Sequence, residues 1–208
     1  MGKNKTMKKM SNKKFIPSEC TNKMSFDDCE LAILRQAVDS NEKIAGQKLA
    51  SSDEIKKMIE IVENFLKKKK LLCYGGTAIN NILPKHAQFY NKEYEVPDYD
   101  FYSYNALDHA KELADIYYKE GYEQVEAKSG VHEGTYKVFV NFIPMADITS
   151  LHKELFDSLS KECISVSGIK YVPPNFLRMG MYLELSRPAG DISRWEKVLK
   201  RLNLLNKY

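Results

Sequence analysis

Residues 71–77 read Leu-Leu-Cys-Tyr-Gly-Gly-Thr, an apolar run that stops at two glycines. The run is too short for a helix, so it predicts a buried strand that ends in a tight turn. Glycines at such a turn let the backbone approach a phosphate group closely, and the helix that follows offers free N–H donors. Gly75, Gly76 and Thr77, whose hydroxyl is a further donor, are therefore candidate phosphate-binding residues. Alone they are weak evidence, because glycine pairs mostly form ordinary turns.

Helices surround this strand in the predicted pattern. Apolar residues at three- and four-residue steps predict a helix over 55–66, and Ser51 with Glu54 has the spacing of a capping box that would start it near residue 52. A connection is predicted over 46–51. Further helices are predicted over 26–38, 77–83, 106–119, 175–186 and 193–205. The apolar face of the last helix needs a partner, which the three residues after it cannot supply.

Two extended stretches downstream carry acidic residues. Residues 96–102 read VPDYDFY and residues 145–149 read MADIT. Residues i and i+2 of a strand point to the same face, so Asp98 and Asp100 present two carboxylates to one site. Asp147, from a neighbouring strand, would add a third.

Three carboxylates near triphosphate oxygens suit two Mg²⁺ ions, which lie about 3.5–4 Å apart in sites of this kind. One ion lowers the pKa of an attacking hydroxyl, and the other neutralises charge on the triphosphate and on the leaving pyrophosphate. Phosphoryl transfer then needs little beyond positioning and electrostatic stabilisation. The order of the glycine turn and the three aspartates is therefore more informative than either motif alone.

The positive charge of the chain is concentrated at its start. The formal net charge is +4, but residues 1–14 contain six lysines and no acidic residue, and without them 26 basic side chains face 28 acidic ones, a net charge of −2. This composition predicts a flexible basic tail over residues 1–24. Attraction to RNA phosphates and a plain solubilising or targeting role both fit the tail.

The remaining composition is that of a globular protein, with 43% hydrophobic and 29% charged residues. The four cysteines form no CxxC pair and have no histidine at zinc spacing, so reduced structural thiols are expected. No apolar stretch approaches the roughly 18–20 residues of a membrane helix, and no signal peptide is evident. A soluble, intracellular protein without a membrane partner is expected.

Several stretches together resemble one known family. They are 73–80 (CYGGTAIN), 97–101 (PDYDF), 140–149 (VNFIPMADIT) and 183–197 (LELSRPAGDISRWEK). In these stretches the chain is similar to the poly(A) polymerase catalytic subunits of large nucleocytoplasmic DNA viruses of the asfarvirus and mimivirus type. The matches cover most of residues 50–201, and the last is long and unusual.

The resemblance implies an α+β fold, a DNA-polymerase-β-like nucleotidyltransferase palm whose short mixed sheet is flanked by helices. Residues 25–172 would form the palm with its N-terminal helices, and 173–208 would begin a truncated, helical C-terminal region. Asp98 and Asp100 would be ligands of Mg²⁺ or Mn²⁺. Asp147 would be the third metal-site carboxylate and would activate the RNA 3′-hydroxyl. The triphosphate of ATP would lie on the glycine turn, at Gly75, Gly76 and Thr77.

The implied activity is template-independent transfer of AMP from ATP to an RNA 3′ end, as in mRNA polyadenylation, in the host cytoplasm (the viral factory) or the virion. A homodimer or a partner subunit is left open. Members of the family are about twice as long, so the chain resembles a truncated gene, a fragment or a minimal form. The alternative is a non-catalytic or fragmentary subunit of the same fold that binds RNA or a full-length polymerase.

Overall fold

The computed structural model describes residues 20–21, 23–91, 93, 95–188 and 190–208. The chain divides between Ala45 and Gly46 into two compact units. The first unit contains the start of helix α1 (Phe26–Ser51), which has no buried residue. The predicted end of this helix near residue 38 and the predicted connection over 46–51 are wrong. The helix continues because its polar second half contains no proline and only one glycine.

Two cysteines of the first unit differ from the sequence prediction. Cys20 and Cys29 form a disulfide with their Cα atoms 5.1 Å apart. The chain turns back before α1, where the backbone N–H of Met24 donates to the carbonyl oxygen of Thr21 over 3.1 Å. The expectation of reduced thiols is therefore wrong for this pair, whereas Cys73 and Cys163 are free. The rest of the predicted basic tail, residues 1–19 and 22, lies outside the described residues.

The second unit contains a seven-stranded sheet, formed by β1 (Leu72–Cys73), β2 (Tyr99–Ser103), β3 (Val125–Ser129), β4 (Thr135–Val140), β5 (Ile143–Ser150), β6 (Ile164–Val166) and β7 (Ile169–Tyr171). The strand order is β3-β4-β5-β2-β1-β7-β6. β2 and β5 are parallel, as are β1 and β7, and the other neighbouring pairs are antiparallel. The expectation of a mixed sheet in an α+β fold is confirmed.

Six helices accompany the sheet: α2 (Asp53–Lys69), α3 (Gly75–Ile82), α4 (Ala106–Lys119), α5 (Lys153–Lys161), α6 (Pro174–Ser186) and α7 (Trp195–Lys207), with 3₁₀ turns at Lys85–Ala87 and Ile192–Arg194. The predicted helices over 55–66, 106–119 and 175–186 are confirmed to within a few residues. Helix α5 and the β6–β7 hairpin have no counterpart in the prediction, because both are too short for clear periodicity. Among the described helices of the chain, α1 included, none is long and apolar enough to cross a membrane.

The predicted capping box of Ser51 and Glu54 does not form. Ser51 is the last residue of α1, where its Oγ donates to the carbonyl oxygen of Lys48 over 3.2 Å, and Ser52 caps α2 without a side-chain hydrogen bond. Near the C-terminus, Asp191 caps the 3₁₀ turn Ile192–Arg194, since its Oδ1 accepts from the backbone N–H of Ser193 over 3.0 Å. Sequence spacing alone did not identify the residue that ends up next to the free N–H groups.

Helices α2 and α4 cover one face of the sheet. Their apolar residues, such as Met58 and Val62 of α2, are fully buried with the strand residues Val138 and Ile148. The hydroxyl of Tyr117 on α4 donates to the carbonyl oxygen of Met58 over 2.7 Å, which ties the two helices together. Because strand side chains alternate, Asp100 of β2, Lys137 of β4 and Asp147 of β5 point to the other face.

Helix α6 supplies the partner that the last helix needs. Val198, Leu202 and Leu205 on α7 are buried in the same core as Leu177 and Met181 on α6. The partner that this apolar face was predicted to need is α6, which precedes α7 in the chain and runs against it. Residues 173–208 accordingly belong to the same compact unit as the sheet.

Replacing a buried leucine of α7 tests this packing. Leu202, 3% exposed, lies in the core, whereas Leu199 on the same helix is 49% exposed. We expect Leu202→Ala to lower the free energy of unfolding by about 2–4 kcal/mol through the cavity that it leaves. Urea unfolding measures the difference, with Leu199→Ala as the control that should cost less than about 1 kcal/mol. Equal losses in the two variants would contradict the packing.

Candidate active site

The three predicted aspartates lie on the face of the sheet opposite α2 and α4. Asp98 comes one residue before β2, and Asp100 lies within it. Asp100 is the direct partner of Asp147 in the parallel register of β2 and β5. Strand alternation and strand pairing together therefore gather the three carboxylates that the sequence analysis singled out.

Burial and neighbouring negative charge raise the pKa of Asp98 and of Asp100. The pKa of Asp100 is raised to about 7, first by its partial burial and then by the negative charges of Asp98 and Asp147. The pKa of Asp98 is also raised, by loss of hydration and then by Asp147. Like charges held on one face of a sheet disfavour full ionisation, so a nearby positive charge stabilises the ionised carboxylates.

Lys137 supplies part of this positive charge. It lies directly opposite Asp147 in the antiparallel register of β4 and β5, and its ammonium group forms an ion pair with Oδ2 of that aspartate. The other carboxylate oxygen, Oδ1, is buried without a hydrogen-bond partner. The sequence analysis missed Lys137, although a lone charged residue within the β-prone run 135–140 was a usable signal.

The two glycines of the turn each make room for a side chain. Gly75 has a φ of +70°, and a Cβ there would collide with the carboxylate of Asp100. A Cβ at Gly76 would collide with the hydroxyl of Tyr90 and would lie 3.0 Å from each Nη atom of Arg201. Helix α3 begins at Gly75 itself, two residues earlier than predicted. The glycines are thus required by close packing around the carboxylates.

Thr77 forms a hydrogen bond to the backbone of Asp98. It is 4% exposed, and its Oγ1 donates to the backbone carbonyl oxygen of Asp98 over 2.7 Å. Its hydroxyl therefore positions the chain segment that carries the first aspartate. The predicted contact between this hydroxyl and a phosphate stays a prediction.

Other site residues converge from distant parts of the chain. The buried Asn80 accepts two backbone N–H groups at Oδ1, from Phe89 over 2.8 Å and from Tyr90 over 2.9 Å. The hydroxyl of Tyr90 accepts a hydrogen bond of 2.7 Å from Nη2 of Arg201 on α7. Tyr74 bonds Thr149 through their hydroxyls over 2.9 Å. Tyr74, Asn80 and Thr149 lie in stretches that carry the family resemblance, although nothing there assigned them a role, and no motif indicated Tyr90 or Arg201.

The oxygen-rich donor set fits a hard divalent cation. Carboxylate oxygens are the ligands that Mg²⁺ and Mn²⁺ prefer, and the buried, unpartnered Oδ1 of Asp147 is available as one of them. Within the part of the chain that the structure describes, no three acidic, histidine or cysteine side chains are already gathered at metal-binding spacing. A bound cation would offset the burial and the neighbouring negative charges that raise the pKa of Asp100.

A mixed sheet with a glycine turn and three aspartates on its open face defines a protein of the nucleotidyltransferase fold. A family model described as "Poly(A) polymerase catalytic subunit" matches residues 60–191. The chain belongs to this family.

Relatives and a solved structure agree with this assignment. An African swine fever virus protein is 34% identical over 171 residues, and an Acanthamoeba polyphaga mimivirus protein is 34% identical over 161 residues. The names of both describe a poly(A) polymerase catalytic subunit. The alignments cover 79% and 74% of this chain, but only 36% and 26% of those proteins. The crystal structure of the Megavirus polyadenylate synthase matches 99% of this chain and 40% of its own, with 27% identity and a TM-score of 0.77.

Adding a methyl group to Gly75 tests the close approach of Asp100. We expect Gly75→Ala to lower the free energy of unfolding by more than about 1 kcal/mol, because a positive φ and a steric collision act together. Gly180, in the middle of α6, is the matched control, since a Cβ there meets nothing within 4 Å. Gly180→Ala should stabilise the protein by about 0.5–1 kcal/mol. Denaturant unfolding measures both, and a neutral Gly75→Ala would contradict the steric argument.

The raised pKa of Asp100 predicts a pH-dependent stability. Between its unfolded value near 4 and its folded value of about 7, the folded state binds the proton more tightly, so stability falls as the pH rises through this window. Asp100→Asn removes the charge. We expect it to raise the free energy of unfolding at pH 8 by more than about 1 kcal/mol, and to change it little at pH 4. Unfolding in EDTA at both pH values is the measurement; an equal effect at pH 4 and pH 8 would contradict it.

Proposed function

We propose that the chain is a polynucleotide adenylyltransferase that transfers AMP from ATP to the 3′-hydroxyl of RNA. The observation that carries the proposal is the set of three aspartates beside the glycine turn, in a chain that belongs to the poly(A) polymerase catalytic subunit family. This arrangement supplies the charge and the close backbone approach that phosphoryl transfer needs. Adenylation of viral mRNA, in the host cytoplasm or the virion, is the biological role that we propose.

In the proposed reaction, the RNA 3′-oxygen forms a bond to the α-phosphorus of ATP. The bond from the α-phosphorus to the oxygen that bridges it to the β-phosphate breaks, and its electron pair leaves with pyrophosphate. Asp147 accepts the proton of the hydroxyl. Mg²⁺ or Mn²⁺, held by Asp98, Asp100 and Asp147, would lower the pKa of that hydroxyl and neutralise charge on the triphosphate.

Neighbouring residues of the chain prepare these carboxylates. The ion pair of Lys137 with Asp147 orients that aspartate in the sheet. The hydrogen bond from Thr77 to the carbonyl oxygen of Asp98 fixes the start of β2. Positions held in this way reduce the reorganisation that the reaction requires.

The glycine turn would hold the triphosphate through the backbone. Helix α3 starts at Gly75, so the N–H groups of its first turn, which includes Gly76 and Thr77, are the donors that a helix N-terminus offers to an anion. This contribution does not depend on the Thr77 hydroxyl, which is engaged with Asp98.

A non-catalytic role is the second candidate function. The chain spans 36% of the length of its African swine fever virus relative and 40% of the Megavirus chain. If catalysis needs residues of those longer proteins beyond the matched part, this chain would not catalyse the transfer by itself. In that case the chain would act as a subunit that binds RNA, a second copy of itself or a longer polymerase.

An extension assay distinguishes the two candidates. The purified chain is incubated with an unstructured RNA primer, labelled ATP and Mg²⁺. Asp98→Ala and Asp100→Ala should each lower the rate of extension by about 10³-fold or more, because metal coordination supplies several kcal/mol of transition-state stabilisation. Asp115→Ala, at an exposed position on α4, should retain the wild-type rate.

Each outcome has a defined meaning. Extension by the wild type and by Asp115→Ala, but not by Asp98→Ala or Asp100→Ala, supports the transferase. If the wild type is active and either Asp98→Ala or Asp100→Ala extends the primer at the wild-type rate, the assigned metal ligands are refuted. Absence of extension by the folded wild type would favour the non-catalytic subunit.

A further inference from the structure

Four charged residues form one row across the open face of the sheet. Asp100 is the register partner of Asp147, and Asp147 is the register partner of Lys137. Lys137 is in turn the register partner of Lys128 on β3, the edge strand. Side chains of register partners lie on the same face, and adjacent strands are about 4.8 Å apart, so the row extends roughly 10 Å from Asp147 to Lys128. Two lysines therefore continue the row of carboxylates to the edge of the sheet.

A cavity of about 170 Å³ lies beside the end of this row. It is lined by Gln124, Glu126, Lys128, Phe139 and Phe142. Phe139 follows Lys137 by two residues on β4, so its ring lies on the same face. The ammonium nitrogen of Lys128 lies 4.3 Å from the centroid of that ring and pairs with Glu126 over 3.0 Å. The volume is below the roughly 300–1,000 Å³ of pockets that enclose a whole small-molecule ligand, so it suits one flat ring system.

Phe142 lines this cavity in a strained backbone conformation. With Asn141 it forms the two-residue turn between β4 and β5, where φ is 49° at Asn141 and 65° at Phe142. Asparagine tolerates a positive φ and glycine favours it, whereas a bulky residue there is strained. Phe142 is also 77% exposed, so burial within the fold offsets little of this strain. Strain that packing does not offset indicates a functional constraint on this residue.

The chemistry of the cavity favours an unpaired nucleobase. Aromatic rings stack on the faces of bases, and Phe139 and Phe142 offer two such rings. The side-chain amide of Gln124 and the carboxylate of Glu126 are groups that hydrogen-bond to base edges. Lys128 supplies a cation for a neighbouring phosphate. Bases in a duplex are stacked on each other, so the ligand that fits is a single strand.

The position of the cavity favours RNA over ATP. Strand β1, which leads to the glycine turn, lies on one side of β2, whereas β5, β4 and β3 lie on the other. In the proposed function the triphosphate lies at the glycine turn and Asp147 accepts the proton of the RNA 3′-hydroxyl. The cavity is therefore on the acceptor side of the carboxylates, and its distance from Asp147 suits a nucleotide upstream of the 3′ end.

We propose that the cavity beside Phe139 and Phe142 binds a base of the single-stranded RNA acceptor, upstream of its 3′ end, and that Lys128 binds an adjacent phosphate. The proposal rests on the proposed function for the identity of the ligand. It gives the acceptor strand a path across β5, β4 and β3, along the open face of the sheet. Stacking on an aromatic ring does not depend on the identity of the base, so the subsite would accept different RNA sequences.

RNA binding without turnover tests the proposal. The full chain is titrated into a labelled single-stranded oligouridylate with Mg²⁺ and without ATP, and fluorescence anisotropy gives the Kd. We expect Phe142→Gly and Phe139→Leu each to raise the Kd about fivefold or more, as loss of one stacked base does. Lys128→Gln should lower the slope of log Kd against log salt by about 0.7, the value for one phosphate contact on a single strand.

Two residues of α4 supply the matched controls. Tyr118→Ala removes an aromatic ring that is 69% exposed, and Lys111→Gln removes a positive charge from an exposed position. Helix α4 covers the other face of the sheet, so both variants should keep the wild-type Kd and salt dependence.

Phe142→Gly separates loss of binding from loss of structure. Glycine suits the positive φ of the turn, so we expect this variant to unfold at a higher urea concentration than the wild type while it binds RNA more weakly. A residue with a merely structural role would not give these opposite changes. If Phe142→Gly instead lowers the urea midpoint, Phe139→Leu decides.

Several results would overturn the proposal. The wild type would have no measurable affinity for oligouridylate at low salt, or Phe142→Gly and Phe139→Leu would bind it like Tyr118→Ala. A raised Kd for ATP with an unchanged Kd for oligouridylate would assign the cavity to the nucleotide. A change in self-association on sedimentation, again with unchanged RNA affinity, would assign it to a protein contact.

The same variants separate this proposal from the proposed function. In an active chain, Phe142→Gly should raise the KM for the RNA primer about fivefold or more while the KM for ATP stays unchanged. If the primer KM is also unchanged, the subsite is refuted and the transferase stands. If the chain has no transferase activity but its affinity for oligouridylate depends on Phe139 and Phe142, the proposed function fails and the RNA subsite stands.

Discussion

Mutual repulsion of three carboxylates on one face of a sheet is the constraint on which the rest of the site depends. The parallel register of β2 and β5 places Asp100 against Asp147, and strand alternation adds Asp98 to the same face. The raised pKa of Asp100 reflects the cost of this arrangement. Such a cost persists only where the surrounding core determines the strand positions, and the buried packing of α2 and α4 on the other face does so.

Several residues around the carboxylates accommodate or offset this repulsion. Lys137 neutralises part of the charge from the adjacent strand. The glycine turn lets the backbone of α3 come close, since any larger residue at Gly75 would collide with the carboxylate of Asp100. On the far side of the turn, Arg201 of α7 lies beside Gly76.

The packing of the C-terminal helices holds Arg201 beside the glycine turn. Burial of Val198, Leu202 and Leu205 against α6 fixes the rotation of α7, and the bonds from Arg178 to Leu205 and Asn206 support the same geometry. Arg201 is three residues after Val198 and four before Leu205, so it flanks this apolar face and reaches the glycine turn. The family match over residues 60–191 leaves all of α7 outside its range.

The sequence by itself determined the features that depend on neighbours along the chain. Periodicity located most helices, the run before Gly75 located the central strand, and the spacing of Asp98 and Asp100 predicted a shared face. Tertiary structure alone decided which side chains contact one another around the aspartates and the glycine turn. Tyr90 bonds Arg201 across 111 residues, and Lys137 lies opposite Asp147 through strand register. The disulfide of Cys20 and Cys29 and the α6 partner of α7 were missed for the same reason. Local patterns record which residues share a face, whereas contacts between elements depend on register, rotation and packing that no local pattern contains.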